Sequence, residues 1–247
     1  MPTGASNKRK YNYIWVALVI LVFGIIFIPK IVDRLAKDEH VDKDRLNQNA
    51  APEPLGYILS NGEKRKVPQF RFLNQDSVWV DNKTYQGKVY LVDFFFTTCP
   101  TICPVMTKNL VDIQNTFSDS ASFGVASFTI NPRYDTPGVL KNYGEHYGVK
   151  DSDWNFLTGD QDRIYKLARE GFYILANASE DAPGGFEHSG MFALVDKEGY
   201  IRSRSDEFGN PLIYYRGTVS EAQGENTKGE AQQITILKED IKKLLAE

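Results

Sequence analysis

The feature that most constrains the fold is an apolar run that leads directly into a pair of cysteines. Residues 89–96 read Val-Tyr-Leu-Val-Asp-Phe-Phe-Phe, which has the length and near-continuous hydrophobicity of a strand buried on both faces. Residues 106–117 carry apolar side chains at steps of four, three and four, which predicts an amphipathic helix, and residues 123–130 are typical of a second strand. A strand, a helix and a strand within about forty residues predict a βαβ unit with a parallel strand pair.

The rest of the C-terminal region continues the same alternation of helices and strands. A Thr-Pro pair at residues 136–137 fits the N-cap and first position of one helix, and Asp160 fits the N-cap of another. Residues 191–203 predict a β-hairpin, residues 205–233 a polar surface excursion, and residues 236–245 a closing helix. Together these elements predict a single α/β domain.

Cys99 and Cys103 are the two cysteines of the chain, and they fall between the first predicted strand and its helix. Pro104 has no N–H to donate and disfavours helical backbone at Cys103, so we expect the regular helix to begin at Pro104 above an irregular cysteine turn. At a helix N-terminus, free N–H groups favour the thiolate, here that of Cys103. Two cysteines are too few for a disulfide scaffold, so they predict local redox or metal chemistry.

The histidines decide whether the cysteine pair has a third metal ligand. Two thiolates are soft ligands that suit Cu(I), whereas zinc prefers four protein ligands. His40 lies in a polar N-terminal segment, and His146 lies on the polar side of a predicted helix. His188 lies in a glycine-containing loop ahead of a predicted strand, and loops at strand ends converge on one edge of an α/β sheet. From this pattern His188 is either a metal ligand beside the cysteines or a loop residue that makes a hydrogen bond.

The N-terminal region predicts a membrane anchor. The basic residues 8–10 precede an apolar run, and residues 11–29 are close to the length of a bilayer span. By the positive-inside rule, residues 1–10 lie in the cytoplasm and the rest of the chain lies on the extracytoplasmic side of the cytoplasmic membrane. No small-residue cleavage site follows the run, as a signal peptide needs, and no cysteine follows it, as a lipoprotein needs. Residues 30–54 predict a polar stalk ahead of a folded domain over residues 55–247.

The charge distribution excludes one class of partner. Residues 1–49 carry eight Lys or Arg and five Asp or Glu, a balance of +3. Because the whole chain carries −3, residues 50–247 carry −6. A mildly acidic folded part argues against nucleic acid as a partner.

Three motifs together resemble the Sco/SenC family. Residues 95–104, Phe-Phe-Thr-Thr-Cys-Pro-Thr-Ile-Cys-Pro, are similar to the family's C-x3-C-P signature after a hydrophobic strand. Residues 187–199 are similar to its downstream histidine motif. Residues 131–136 resemble its D-P-x-x-D-T segment, with Asn131 where the family usually has aspartate. The similarity extends over roughly residues 55–205 and the closing helix.

The resemblance implies a thioredoxin-like fold, with a central mixed sheet flanked by helices, behind an N-terminal transmembrane helix. It implies that Cys99, Cys103 and His188 bind Cu(I) or Cu(II). The implied function is delivery of copper to the dinuclear copper site of cytochrome c oxidase during its assembly, by a metallochaperone and not an enzyme. The implied partners are the copper-binding subunit of the oxidase and other copper chaperones or thiol reductants.

Two other functions use the same cysteine pair. A thiol–disulfide oxidoreductase could keep the copper-site cysteines of the oxidase reduced without metal, although thioredoxin-type enzymes use C-x2-C and have no need for His188. A copper-dependent redox sensor would use the same three ligands, and the sequence does not separate it from a chaperone. The sequence argues against a peroxidase, because a peroxidase needs threonine three residues before its reactive cysteine, where this chain has Phe96 or Pro100.

Overall fold

The computed structural model describes residues 8–36, 54–150, 152–179, 182–205 and 210–247. The chain divides into two compact units, Met1–Glu53 and Pro54–Glu247. In chain order the helices and strands are α1 (Lys8–Ala36), β1 (Gly56–Tyr57), β2 (Leu59–Ser60), β3 (Glu63–Lys64), β4 (Arg71–Leu73), β5 (Trp79–Asp81), β6 (Val89–Phe95), α2 (Cys103–Thr116), β7 (Phe123–Thr129), α3 (Pro137–Tyr147), β8 (Trp154–Leu157), α4 (Gln161–Lys166), β9 (Ala176–Ala178), β10 (Phe186–His188), β11 (Met191–Val195), β12 (Ile201–Ser203), β13 (Tyr215–Arg216) and α5 (Ile234–Ala246).

Helix α1 forms the described part of the first unit. It contains Pro29, and its large apolar side chains between residues 14 and 28 are exposed. Among the residues whose placement is described, no helix is both long enough and apolar enough to cross a membrane. The anchor over residues 11–29 stays a prediction. Because α1 continues to Ala36, the first residues of the predicted stalk are helical, and the remaining stalk residues, including His40, lie outside the described ranges.

A mixed sheet forms the centre of the second unit. Its strands lie in the order β1-β12-β11-β6-β7-β8, and β13 also pairs with β11. β6 and β7 are parallel from Val89↔Phe123 to Phe95↔Thr129, and β8 is parallel to β7. β11 pairs antiparallel with the other side of β6 and with β12. The predicted βαβ unit and the predicted hairpin are therefore confirmed.

Strand β6 lies in the middle of the sheet because nearly every side chain that it carries is apolar. All seven of its residues are buried, and so are all seven of β7. The ring of Phe128 on β7 stacks on Phe94 and meets Phe70 edge-to-face, with centroids 5.4 and 5.2 Å apart. Buried aromatic rings remove large apolar areas from water, so these two strands anchor the core.

Local sequence signals set the helix ends where they were expected. α3 begins after the N-cap residue Thr136, with Pro137 in its first turn. It ends at Gly148, whose φ of 76° lies in the left-handed region that glycine adopts without strain. α4 begins after Asp160, whose side chain accepts a backbone hydrogen bond from the first turn, and a π-helical turn at Leu167–Gly171 extends it.

The segment over residues 205–233 is more integrated into the domain than the predicted surface excursion. It contributes β13, and the buried ring of Tyr215 donates its hydroxyl to Asp240 on α5 at 2.7 Å. The carbonyl of Gly217 accepts a 2.9 Å hydrogen bond from the side chain of Asn109 on α2. The prediction is wrong for this stretch because an aromatic side chain inside a polar segment can cover the end of a core strand.

Candidate metal centre

The cysteine loop connects the buried strand β6 to helix α2. The N–H of Cys99 donates to the carbonyl of Phe96 at 3.2 Å, which closes a tight turn directly after the strand. Helix α2 begins at Cys103, one residue before the predicted start at Pro104, and Ile102 is its N-cap residue. The predicted start is wrong by this residue because N–H groups of a first helical turn have no partner within the helix, so proline costs no hydrogen bond there.

The structure brings the three predicted ligand residues together. Sγ of Cys103 lies 3.2 Å from Nε2 of His188. The ligand atoms of Cys99, Cys103 and His188 all lie within 4.8 Å of one another, and both cysteines are free. His146 is exposed on α3 and lies outside this group, and His40 lies outside the described residues.

A short ribbon outside the main sheet carries His188. β9 and β10 pair antiparallel with each other, and His188 is the last residue of β10. Gly184 precedes β10 with a φ of 79°, and a Cβ at this position would lie 2.8 Å from the ring of Phe96. Gly190 follows the ribbon with a φ of 66°, and a Cβ there would lie 2.5 Å from the methyl group of Thr218. The two glycines therefore let the ribbon approach the cysteine loop more closely than other residues would.

The imidazole of His188 is held by packing and by its contact with sulfur. The ring of Phe96 lies edge-to-face with it at a centroid distance of 5.8 Å, and the ring of Phe186 packs against Phe96 at 5.1 Å. Nδ1 of His188 is buried and has no hydrogen-bond partner among the described residues. In most protein metal sites a carboxylate or carbonyl accepts from this second ring nitrogen. Within the described part of the chain, the polar contact of this ring is on its Nε2 side.

The two thiols differ in charge state. The hydrogen bond from Cys103, together with one from His188, outweighs burial and lowers the pKa of Cys99 to about 3. Burial, reinforced by the hydrogen bond and negative charge of Cys99, raises the pKa of Cys103. These directions favour the thiolate at Cys99, whereas the helix N-terminus favours it at Cys103. Cys103 is the more deeply buried, with 1% of its surface exposed against 7% for Cys99, and burial disfavours the charged form.

Cys99 faces a cavity of about 370 Å³. Its walls include Thr101, Ile102, Phe186 and His188, and Cys103 is not among the residues that line it. The hydroxyl of Thr101 lies 3.6 Å from Sγ of Cys99. A metal ion or thiol that enters the cavity therefore meets Cys99 and His188 before it meets Cys103.

The donor set is better suited to copper than to zinc. Thiolates favour Cu(I) and imidazole accommodates Cu(II), so two sulfurs and one imidazole suit both oxidation states. Within the described ranges, no other His, Cys, Asp or Glu joins the group. A structural zinc ion would thus lack its fourth protein ligand. The residues present fit a copper ion.

Sequence reasoning does not identify two buried carboxylates close to the loop. Asp93 on β6 accepts a 2.5 Å hydrogen bond from Ser127, and its complete burial raises its pKa to about 7. Asp135, in the turn before α3, accepts hydrogen bonds from Thr97 in the cysteine loop. Asp93 could have been singled out from the sequence, because it is the one charged residue in an otherwise apolar strand. The hydrogen bond between Asp135 and Thr97 follows only from the folded structure.

The sheet, the cysteine loop and the histidine ribbon define a thioredoxin-like domain in which two cysteines and one histidine form a candidate metal-ligand group beside the end of the central strand. The family model described as SCO1/SenC matches residues 60–219, and the chain belongs to this family. The predicted family and the predicted α/β fold with a central mixed sheet are confirmed.

Relatives with a name or a solved structure agree with this assignment. The SCO1 protein homolog of Bacillus subtilis (strain 168) is 32% identical over 151 residues, which cover 60% of this chain and 74% of that protein. The structure of BsSco, described as a member of the Sco family of cytochrome c oxidase assembly proteins with a disulfide switch, matches with a TM-score of 0.60 and 27% identity over 78% of this chain and 98% of that chain. Yeast Sco1 with copper bound shares the fold, with a TM-score of 0.52 and 23% identity over 72% of this chain and 89% of that chain.

Proposed function

We propose that this chain is a membrane-anchored protein that binds copper and delivers it to the dinuclear copper site of cytochrome c oxidase during assembly of the oxidase. The observation that carries the proposal is the group formed by Cys99, Cys103 and His188, whose ligand atoms lie within 4.8 Å of one another. BsSco is described as belonging to a family of cytochrome c oxidase assembly proteins, and yeast Sco1 has been crystallised with copper. The first description supports a role in oxidase assembly, and the second supports copper as the metal.

The arrangement suits a metal that must be released again. Cys99 faces the cavity and has a lowered pKa, whereas Cys103 does not line the cavity and has a raised pKa. Metal binding to both sulfurs releases the proton of the remaining thiol to solvent, and Nε2 of His188, 3.2 Å from Sγ of Cys103, has to be unprotonated to serve as the third ligand. Because the protein supplies only three ligands, a thiolate of the acceptor can bind the copper before these ligands leave.

The proposed anchor is the helical segment over residues 11–29. The basic residues 8–10 precede it, and its large apolar side chains between residues 14 and 28 are exposed on the helix surface. We expect the full chain to sediment with cytoplasmic membranes and to need detergent for extraction. Deletion of residues 1–36 should release the protein into the aqueous fraction. Recovery of the full chain in that fraction would remove the anchor from the proposal.

The delivery step is tested by mixing the copper-loaded full chain, purified in detergent, with the copper-free copper-binding domain of the oxidase. After the two proteins are separated, metal analysis should find the copper on the oxidase domain. The matched control is the Cys99→Ser, Cys103→Ser double variant, which should carry no copper into the mixture. If copper stays on the full chain while disulfides of the acceptor become reduced, delivery is not its function.

A second candidate function is reduction of the copper-site cysteines of the oxidase. It is favoured by the Cys99 thiolate at the cavity with the free thiol of Cys103 behind it. In such a reaction Cys99 attacks an acceptor disulfide to form a mixed disulfide, and Cys103 then displaces the second acceptor thiolate. The protein is oxidised by two electrons and the acceptor gains them. His188→Ala separates the two functions, because it removes a metal ligand and leaves the dithiol intact.

A further inference from the structure

A fully buried carboxylate lies beside the candidate metal centre and belongs to none of its ligands. Asp135 has 0% of its surface exposed. It lies in the turn between β7 and α3, where its own N–H donates to the carbonyl of Asn131 at 2.9 Å. A carboxylate in this environment is tolerated only if donors satisfy its oxygen atoms.

Three donors converge on this carboxylate, and two of them come from one residue of the cysteine loop. The backbone N–H of Thr97 donates to Oδ2 at 3.1 Å, and the hydroxyl of Thr97 donates to Oδ1. The hydroxyl of Thr129, the last residue of β7, also donates to Oδ2. Asp135 thereby joins the cysteine loop to the end of the neighbouring strand.

Thr97 lies between the end of β6 and Cys99, so its hydrogen bonds to Asp135 affect where the sulfur of Cys99 lies. β6 ends at Phe95, whose carbonyl accepts the last sheet hydrogen bond from Ile130 at 2.8 Å. Beyond that point, no sheet partner holds the N–H of Thr97, and the carboxylate of Asp135 takes its place. Two residues later, Cys99 closes the tight turn through its hydrogen bond to the carbonyl of Phe96. The hydrogen bonds of Asp135 to Thr97 therefore lie inside the turn that sets the direction in which Cys99 leaves the sheet.

We propose that Asp135 is a positioning residue which, through Thr97, keeps Sγ of Cys99 within bonding reach of Cys103 and His188. Its effect on copper rests on the proposed function, whereas its effect on the dithiol does not. Without the carboxylate, the start of the loop loses two hydrogen bonds and Cys99 samples positions farther from its partners. Both formation of the Cys99–Cys103 disulfide and binding of copper should then become less favourable, because each needs the two sulfurs close together.

The test measures the dithiol–disulfide equilibrium of the metal-free full chain in detergent, in glutathione redox buffers. Asp135→Asn should shift the equilibrium constant about tenfold towards the dithiol, which corresponds to a potential higher by about 30 mV. Thr97→Val, which removes only the hydroxyl, should shift it in the same direction by less. Thr97→Ser, which keeps both donors, should restore the wild-type value.

A matched control separates positioning from a general loss of stability. Asp240 is also fully buried, and it is bonded by Arg204 and Tyr215 without any contact to the cysteine loop. Asp240→Asn should lower the denaturation midpoint and leave the dithiol equilibrium unchanged. If both Asp135→Asn and Thr97→Val have the wild-type equilibrium, the proposal is overturned, and Thr97→Val decides alone if Asp135→Asn does not fold.

Copper titration of the same variants tests the second half of the proposal. Asp135→Asn should bind copper about tenfold more weakly and shift the Cu(II)–thiolate absorption band. If the wild-type chain binds no copper but the dithiol equilibrium of Asp135→Asn is shifted, the proposed function fails and the positioning role stands. If the wild-type chain binds copper and the variants match it in both measurements, the positioning role fails and the proposed function stands.

Discussion

The two halves of the candidate metal centre are built very differently. Cys99 and Cys103 lie between β6, which has a paired strand on each side, and the first turn of α2. His188 lies on a two-stranded ribbon, β9–β10, that pairs with no other strand in the described part of the chain. All seven residues of β6 are buried, whereas the three residues of β10 are half-buried or exposed.

This difference bears on the proposed release of the metal. The cysteine half is held in place by the core, because movement of β6 would disturb the aromatic packing around Phe128. The histidine half can move at a cost limited to a few ribbon hydrogen bonds and one aromatic cluster. We therefore expect changes on the two sides to affect stability and metal binding in different proportions.

The largest effect on binding is expected on the cysteine side. Cys103→Ser replaces a soft sulfur with a hard oxygen, so copper affinity should fall by at least a thousandfold, or about 4 kcal/mol. The protein should stay folded, since serine is close in size to cysteine. Competition for copper against a chelator of known affinity measures the loss. Retention of affinity within tenfold of the wild type would exclude Cys103 as a ligand.

The largest loss of stability is expected from a core substitution on the cysteine side, and a matching substitution on the histidine side should cost much less. Phe128→Ala removes a fully buried ring from β7 and should lower the free energy of unfolding by about 3–5 kcal/mol. Phe186→Ala removes a half-buried ring from the ribbon and should lower it by about 1 kcal/mol. Chemical denaturation of the metal-free protein checks both values. Equal losses would show that the ribbon is as much a part of the core as the sheet.

A pH-dependent effect is expected on the cysteine side only. Complete burial raises the pKa of Asp93 to about 7, so the folded protein keeps this proton at pH values where the unfolded chain has lost it. The stability contributed by the protonated form is full below about pH 4 and is lost as the pH rises to about 7. Asp93→Asn stays neutral and should gain roughly 2–3 kcal/mol relative to the wild type between pH 5 and pH 8. If the difference in unfolding free energy between Asp93→Asn and the wild type is the same at pH 5 and at pH 8, the prediction is contradicted.

The smallest effect on stability, with a distinct spectrum, is expected at His188. His188→Ala should abolish the Cu(II)–thiolate charge-transfer bands and weaken copper binding by ten- to a hundredfold, or about 1–3 kcal/mol. Its denaturation midpoint should stay close to that of the wild type, because Nδ1 makes no hydrogen bond within the described residues. His146→Ala, at an exposed position on α3, is the matched control and should change neither property. Unchanged spectra in the His188 variant would remove His188 from the centre.

The sequence was sufficient where local patterns determine structure. The apolar run at Val89–Phe95 and the helical spacing after it predict the βαβ unit, because burial and periodicity are properties of neighbouring residues. A C-x3-C-P pattern at a strand–helix junction also predicts where the sulfurs lie. His188 remained ambiguous from pattern alone, and its 3.2 Å contact with Cys103 depends on a fold that joins residues 85 positions apart.

The sequence was insufficient where depth of burial or distant polar contacts decide the outcome. Burial raises the pKa of Cys103, which lies deeper than Cys99, and no local rule for helix N-termini contains that information. The bond between Thr97 and Asp135 spans 38 positions and leaves no periodic signal. Strand β13 was missed because its two residues are too short a run to stand out in a polar segment.

The unpaired Nδ1 of His188 has a consequence for the valence of the bound ion. Within the described residues, the imidazole is held by its packing against Phe96 and by the contacts of Nε2, with no hydrogen bond at Nδ1. Its residence is then governed by how strongly the metal itself attracts nitrogen, and Cu(II) does so more than Cu(I). The histidine should therefore add more to the affinity for Cu(II) than to the affinity for Cu(I), for which the two sulfurs alone are suitable ligands.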